Sequence, residues 1–285
     1  MGHIHWFPGH IAKATRELKE KLNLVDVIIE VIDSRIPYSS WYKTTDKLCS
    51  NKPRLLLMNK SDVSDPNLNT AWAKTISDLS NCKVIITSLK NQGDIKLITD
   101  NILELSKEIM LKRLEKGLLI RPTRTMVIGM PNVGKSSTIN RLVKKAKTKT
   151  GPKAGVTRTQ QWVRINNKIE LLDTPGIIPT TQDDQYQALK LAIVNSIGEN
   201  AFDSEFAAEN LLNILLRFYP KELRTYYGFK EEESVNIESI AIKQNWILKG
   251  QKPDTKRTSQ IILSTFQSGK IGKFTLETPK EYELI

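Results

Sequence analysis

The chain has 285 residues and a formal net charge of +12, with 39% apolar and 7% aromatic residues. This length and apolar content exclude an intrinsically disordered protein and suit one large or two smaller globular domains. The two cysteines, Cys49 and Cys82, exclude a disulfide-rich secreted domain, and no apolar run is long enough to cross a bilayer. We therefore expect a globular cytoplasmic protein that has no membrane contact.

Short apolar runs alternate with helical patterns up to residue 178. Four runs predict buried strands, at residues 25–32, 54–58, 84–87 and 125–129. Two segments between them have a helical period, at residues 67–79 and 95–114. Such alternation predicts a mostly parallel sheet flanked by helices. Asn166 and Asn167 separate two further strand patterns, which predicts a β-hairpin over residues 158–172.

After residue 179 the strand pattern ends and helical patterns replace it. One helix is predicted over residues 206–218. Another is predicted after Pro253 and Asp254, with an inner face formed by Ile261, Ile262, Thr265 and Phe266. We therefore predict an α/β domain at residues 1–178 and a small all-helical domain at residues 179–285.

Residues 129–136 follow a predicted strand and match the complete phosphate-binding P-loop pattern. Gly129 and Gly134 allow backbone N–H groups to close around phosphates. Lys135 supplies charge to the β- and γ-phosphates, and the Ser136 hydroxyl is a ligand for Mg²⁺. The predicted nucleotide contacts of this segment are Met130, Pro131, Asn132, Val133, Gly134, Lys135, Ser136 and Ser137.

Polar residues after two other strands predict which base is bound. Asn59, Lys60 and Asp62 have the spacing of a guanine-recognition box. The Asp62 carboxylate can accept from both the N1–H and the 2-amino group of guanine, which adenine does not offer. Ser88 and Lys90 follow the next strand and complete the predicted pocket. This pattern favours GTP and GDP as ligands, and it argues against a P-loop ATPase or a small-molecule kinase.

Three residues beyond the P-loop are candidates for sensing the γ-phosphate and Mg²⁺. Asp173 follows a predicted strand and is placed to reach Mg²⁺, while the Gly176 N–H is placed to donate to the γ-phosphate. Thr157 lies in the loop at residues 151–159, and its hydroxyl is the candidate that closes over Mg²⁺. The alternative for Thr157 is an ordinary exposed loop threonine.

The residue after Gly176 is Ile177, where Ras-type enzymes place a glutamine that orients the attacking water. An apolar side chain cannot do this, so the catalytic group must come from elsewhere. His10 is the candidate, since it ends a Trp-Phe-Pro-Gly-His segment that projects one polar side chain from an aromatic anchor. From the residues alone an alternative stays open, in which the aromatic residues fix the N-terminus and His10 caps the next helix.

The order of these motifs is rotated. The guanine-recognition box at residues 59–62 precedes the P-loop at residues 129–136, whereas in ordinary small GTPases it lies far downstream. All the parts are present, so the sequence predicts a circularly permuted P-loop GTPase domain followed by the helical domain.

Positive charge is concentrated around the P-loop. Residues 113–168 contain fourteen Lys and Arg residues and a single acid, Glu115, whereas residues 180–285 contain thirteen basic and fifteen acidic residues. A bound nucleotide needs only a few of these cations. The excess predicts a second polyphosphate partner such as RNA.

In this order the motifs resemble the ribosome biogenesis GTPase A family of circularly permuted GTPases. The resemblance rests on residues 6–10, 59–62, 129–136 and 173–177 and on a C-terminal stretch at residues 253–277. It implies a GTPase that binds the large ribosomal subunit late in assembly and is stimulated by it. We expect it to act as a monomer that contacts rRNA and leaves after hydrolysis.

The resemblance also implies roles for single residues. It assigns His10 to hydrolysis in place of the missing glutamine, and it associates Asn132 with a K⁺ ion that substitutes for an arginine finger. The helical domain is implicated in rRNA contact. The family's usual Ser-Ala-Lys near guanine is Ser-Leu-Lys here, at residues 88–90. An RNA-binding checkpoint scaffold, for which GTP is mainly a structural ligand, remains the alternative function.

Overall fold

A seven-stranded sheet forms the centre of the first part of the chain. The computed structural model describes residues 11–41, 48–49, 52–90, 92–147, 162–172, 176–177, 184–198 and 201–282. The strands are β1 (Val27–Asp33), β2 (Arg54–Asn59), β3 (Lys83–Ile86), β4 (Thr123–Gly129), β5 (Trp162–Asn166), β6 (Ile169–Leu172) and β7 (Gly176–Ile177). Their order is β3-β2-β1-β4-β6-β5, with β7 paired to β4.

Every strand pair is parallel except β5 and β6, which form the antiparallel hairpin. The four predicted strands and the mostly parallel sheet are therefore confirmed, with small shifts at the strand ends, but β3 lies at the sheet edge and Ile85 is its one buried residue. The hairpin is confirmed over residues 162–172, while residues 158–161 lie outside the described part of the chain. All seven residues of β1 are buried, as expected for a central parallel strand covered on both faces.

Within the described residues, the helices of this α/β part are α1 (Ile11–Leu22), α2 (Pro37–Ser40), α3 (Pro66–Ser80), α4 (Gln92–Glu115) and α5 (Lys135–Lys147). The predicted helices at residues 67–79 and 95–114 correspond to α3 and α4. Helix α3 begins where Asp65 accepts hydrogen bonds from the backbone N–H groups of Asn67 and Leu68. It ends at Asn81, which has a left-handed backbone with φ of 50°.

The second part of the described chain is helical, as predicted. Its elements are α6 (Gln185–Ile193), α7 (Ser204–Phe218), α8 (Pro220–Tyr227), α9 (Ile237–Lys243), α10 (Thr255–Gln267) and a short 3₁₀ helix (Pro279–Tyr282). Helices α7 and α10 pack together through buried residues that include Leu211 and Ile262. Ile261 is half-exposed, because the buried face of α10 centres on Ile262 and Phe266. No described helix is long and apolar enough to cross a membrane.

The last segment of the described chain returns to the α/β part. The backbone N–H of Leu276 donates to the Arg35 carbonyl at 2.7 Å, and the Trp72 indole donates to the Glu277 carbonyl at 3.0 Å. The Phe274 N–H donates to the Val63 carbonyl, just after the guanine-recognition box. The C-terminal segment of the helical part is therefore bound to the α/β part, and the division at residue 178 stays a prediction.

Candidate functional site

The candidate residues converge at the carboxyl edge of the parallel strands β1, β2 and β4. Loops that follow neighbouring parallel strands meet at one edge of the sheet, which is where ligands bind in such folds. Here the loops start after Asp33, after Asn59 and after Gly129. The motifs that are far apart in sequence therefore lie side by side.

The guanine-recognition box and the P-loop are in direct contact. Asn59 ends β2, is 3% exposed, and donates from Nδ2 to the Val133 carbonyl at 2.8 Å. Gly134 has φ of +109°, and a Cβ added to it would lie 2.1 Å from Asn59 Nδ2. Only glycine fits this position, because a side chain would separate the two motifs.

Lys60 connects the same two motifs by its ammonium group. Its Nζ donates to the Asn132 carbonyl at 2.8 Å and to Asp33 Oδ2 at 2.8 Å. Burial lowers the pKa of Lys60, and the neighbouring Asp33 carboxylate opposes that effect. Burial alone would raise the pKa of Asp33, but Arg35 and Lys60 hold it well below its usual range. The two side chains form an ion pair in which Asp33 is buried and Lys60 is half-buried.

Arg35 extends this ion pair towards the helical part. Its Nη2 and Nε donate to the Asp33 carboxylate at 2.7 and 3.0 Å, and its Nη1 donates to the Gln267 carbonyl at the end of α10. Neither Asp33 nor Arg35 is among the residues predicted from the sequence. A signal was available for Asp33, since it follows a buried strand at the same edge as Asn59 does.

The predicted base pocket holds Asp62 beside Lys90. Lys90 Nζ lies 2.5 Å from Asp62 Oδ2, with side-chain exposures of 68% and 25%. Ser88 is half-buried, and its hydroxyl accepts from the Lys90 N–H at 3.3 Å. The structure thus brings together the residues of both predicted parts of the pocket.

The P-loop divides into buried anchors and exposed groups. Met130 and Val133 are buried and fix the loop on the core, and Pro131 is half-buried. Ser136 and Ser137 are exposed in the first turn of α5, where backbone N–H groups lack helical partners. This arrangement suits a bound phosphate and a metal ion at the start of the helix.

Lys135 is the cation of this loop. It is 8% exposed, and its Nζ donates to the Met130 carbonyl at 2.5 Å. Burial lowers the pKa of Lys135 to about 8. The ammonium is therefore poised to lose its proton slightly above neutral pH when no anion faces it.

Asn132 joins the P-loop to the helical part. Its backbone has φ of 56°, and its Nδ2 donates to the Asn195 carbonyl at 2.5 Å. Asn195 follows the end of α6 and also has a left-handed backbone, with φ of 63°. With Nδ2 engaged, the amide oxygen Oδ1 is the group of Asn132 left to face a ligand.

Gly176 begins β7 and pairs with Ile128, directly before the P-loop. The expected γ-phosphate sensor therefore lies next to the phosphate loop. Three other predicted residues, His10, Thr157 and Asp173, lie outside the residues that the structure describes.

The pKa of Lys135 predicts that nucleotide binding takes up protons. A bound phosphate favours the charged ammonium, so it should raise the pKa of Lys135 above about 8. The bound state then holds more protons than the free state, and affinity falls as pH rises through that value. We expect GDP binding at about pH 8.5 to take up a substantial fraction of one proton, because the free site is largely deprotonated there.

This uptake is measured by calorimetry in two buffers of different ionisation enthalpy. Lys135→Met removes the titrating group, so its residual GDP binding should be independent of the buffer. Equal apparent enthalpies for the unmodified protein in both buffers would contradict the assignment of Lys135.

Comparisons with known proteins agree with this arrangement. A family model described as a 50S ribosome-binding GTPase matches residues 124–217. The ribosome biogenesis GTPase A of Bacillus cereus is 38% identical over 282 residues, covering 98% of this chain and 95% of that protein. The corresponding protein of Priestia megaterium is 37% identical over 284 residues, covering 98% of each.

Solved structures give the same result. GDP-bound YlqF of Thermotoga maritima is similar with a TM-score of 0.67 and 28% identity, covering 93% of this chain and 100% of that one. YlqF bound to GNP gives the same TM-score and identity, covering 94% and 99%. The rotated motif order agrees with this similarity, which extends over 98% of the chain. The chain belongs to the ribosome biogenesis GTPase A family of circularly permuted GTPases.

Proposed function

We propose that the protein is a GTP-hydrolysing assembly factor of the large ribosomal subunit. In its GTP form it joins a pre-ribosomal particle through rRNA, and hydrolysis releases it. The observation that carries this proposal is the direct contact between the guanine-recognition box and the P-loop, through Asn59 and Val133. That contact fits a single site that reads the base and the phosphates of one nucleotide.

In the proposed site Asp62 accepts from guanine, with Ser88 and Lys90 closing the pocket beside it. Asn59 and Lys60 fix the position of this box against the P-loop. Lys135 and the backbone N–H groups of residues 130–137 hold the phosphates. The Gly176 N–H, which lies next to the P-loop strand, would donate to a γ-phosphate and so distinguish GTP from GDP.

Two cations fit the proposed site. Ser136 presents an exposed hydroxyl at the start of α5, an oxygen ligand of the type Mg²⁺ prefers, and Thr157 and Asp173 would complete the protein's contribution. Asn132 offers an amide oxygen for K⁺, because its Nδ2 is held by Asn195. Mg²⁺ would neutralise phosphate charge, and K⁺ would do the same on the side of Asn132.

The proposed catalytic residue is His10. Ile177 cannot orient the attacking water, so a polar side chain has to reach the γ-phosphate from another segment. We propose that subunit binding brings His10 into the site, which makes hydrolysis depend on the partner.

The proposed partner is rRNA of the large subunit. The fourteen basic residues within residues 113–168 supply an electrostatic attraction for its phosphates, and the helical residues 179–285 contribute further contacts. We propose that the protein acts as a monomer in the cytoplasm. The lack of a glutamine at Ile177 favours one alternative, a checkpoint scaffold that binds RNA and holds GTP as a structural ligand.

GTP turnover measured with and without large ribosomal subunits, in K⁺ and in Na⁺, tests the proposal. We expect slow hydrolysis by the protein alone and much faster hydrolysis when the subunit and K⁺ are both present. The Lys135→Met variant controls for contaminating phosphatases in the subunit preparation. Low turnover in all four conditions, with intact binding to the subunit, would instead favour the scaffold.

A further inference from the structure

We propose that Asp94 is a positioning residue for guanine recognition, which acts on Asp62 through the loop at residues 87–90. This inference rests on the proposed function, because it concerns the pocket assigned there to the base. Asp94 lies outside every nucleotide-binding motif of the chain. Its place is the first turn of α4, directly after that loop.

One oxygen of Asp94 holds the loop by three hydrogen bonds. Its Oδ2 accepts from the Thr87 hydroxyl at 2.8 Å, from the Leu89 N–H at 3.1 Å and from the Ser88 N–H at 3.3 Å. An ionised carboxylate that accepts several donors fixes their geometry more firmly than neutral groups do. The peptide groups of the loop are thereby turned towards α4.

The held loop has a conformation that its sequence does not favour. Leu89 has φ of 58°, in the left-handed region that suits glycine and asparagine better than leucine. Its side chain is 4% exposed and packs in the core, so the strain is offset by burial and by the hydrogen bonds to its N–H. Loss of the carboxylate would remove part of that support and let the loop relax.

The loop is joined to the guanine-recognition box at two places. The Ser61 N–H donates to the Thr87 carbonyl at 3.2 Å. Lys90, at the other end of the loop, lies 2.5 Å from the carboxylate of Asp62. A change in the conformation of residues 87–90 therefore moves both neighbours of Asp62, which is the group proposed to read the base.

A purely structural role for Asp94 would have a different consequence. If the carboxylate only closes the loop onto α4, its loss lowers stability and weakens all nucleotides equally. If it positions the pocket, its loss reduces the preference for guanine while phosphate binding persists. The two roles are separated by comparing GDP with IDP, whose base lacks the 2-amino group.

The test compares Asp94→Ala, Asp94→Asn and Asp100→Ala. Asp100 is an exposed residue of the same helix and serves as the matched control. We expect Asp94→Ala to lower the ratio of GDP to IDP affinity about tenfold, the size of effect that loss of one charged hydrogen-bond acceptor gives. Asp94→Asn keeps an oxygen acceptor and should retain most of the preference. Asp100→Ala should match the unmodified protein.

Thermal unfolding of each variant is measured beside the affinities. An unchanged ratio of GDP to IDP affinity in Asp94→Ala, with or without a lower melting temperature, would overturn the proposal.

Asp62→Asn is included to test the pocket itself, and it should shift preference from guanosine to xanthosine diphosphate. If Asp62→Asn shows no shift, the assignment of the base pocket fails. If it shifts and Asp94→Ala keeps its ratio, only the role of Asp94 fails.

Discussion

Replacing Lys190 with methionine is expected to lower the free energy of unfolding by about 3 to 5 kcal/mol, the usual cost of removing one partner from a buried ion pair. Lys190 lies on α6 and its side chain is completely buried. Its Nζ donates to Glu281 at 3.1 Å and to the Tyr282 hydroxyl at 2.9 Å, and lies 3.6 Å from Glu277. Methionine fills a similar volume but leaves these acceptors without a cation.

The loss should depend on pH because of Glu277. Burial raises the pKa of Glu277 above 4.5, while Lys190 and hydrogen bonds from Ser39 and Tyr282 oppose this. Without the ammonium the pKa rises further, and the folded variant holds a proton that the unfolded chain releases. A carboxyl with a raised folded pKa stabilises the protein less as pH increases. Lys190→Met should therefore lose more stability at about pH 8 than at about pH 5, because the unfolded carboxyl, with a pKa of about 4.3, is largely ionised at both values.

Chemical denaturation at the two pH values measures this effect. The double variant Lys190→Met/Glu277→Gln removes both charges and should recover much of the loss. Lys243, in an exposed ion pair with Glu233, provides the matched control, and Lys243→Met should have a far smaller effect. Equal losses for the two lysines would contradict the account of Lys190 as a buried anchor.

Lys190 lies on a helix that contacts both the P-loop and the C-terminal segment. Helix α6 begins at Gln185, shortly after Gly176 and Ile177 at the phosphate edge. Lys190 attaches the helix to Glu277, and the Trp72 indole binds the carbonyl of that same glutamate. Asn195, which follows α6, accepts a hydrogen bond from the P-loop residue Asn132. Helix α6 is therefore held by Glu277 through Lys190, and by the P-loop through Asn195. The segment of residues 185–195 is therefore in contact with both the P-loop and the C-terminal segment.

The local features of the fold could be predicted from the sequence. Buried strands gave continuous apolar runs, and the P-loop and the guanine-recognition box each have fixed spacing within a few residues. The contact between Asn59 and Val133 was not predicted, because β1 separates β2 from β4 in the sheet and the strand order is not a local feature of the sequence.

Contacts between distant segments could not be predicted in this way. Lys190 and Glu281 are 91 residues apart, and no local period marks a lysine that will be buried. Asp94 appeared as an ordinary acidic residue at a helix start, where carboxylates are common for dipole reasons. Only the tertiary structure reveals that Asp94 contacts the loop of residues 87–90.

The second large effect is expected for Gly134→Ala, which should weaken GDP binding about a hundredfold, equivalent to ~2.8 kcal/mol. A Cβ at this position would lie 2.1 Å from Asn59 Nδ2, so the P-loop and the guanine-recognition box must move apart. The backbone φ of +109° adds strain for any residue other than glycine. One substitution thus affects both the phosphate loop and the base pocket.

Gly117→Ala is the matched control for Gly134→Ala. Gly117 also has a positive φ, +69°, but a Cβ there meets no atom within 4 Å, and the residue follows α4, away from the site. It should lower stability through backbone strain without changing the affinity for GDP, as measured by calorimetry. If Gly134→Ala bound GDP as tightly as Gly117→Ala, the contact through Asn59 would not be needed for binding. A hundredfold difference in affinity for GDP would instead mean that the guanine-recognition box and the P-loop must be in contact for the nucleotide to bind tightly.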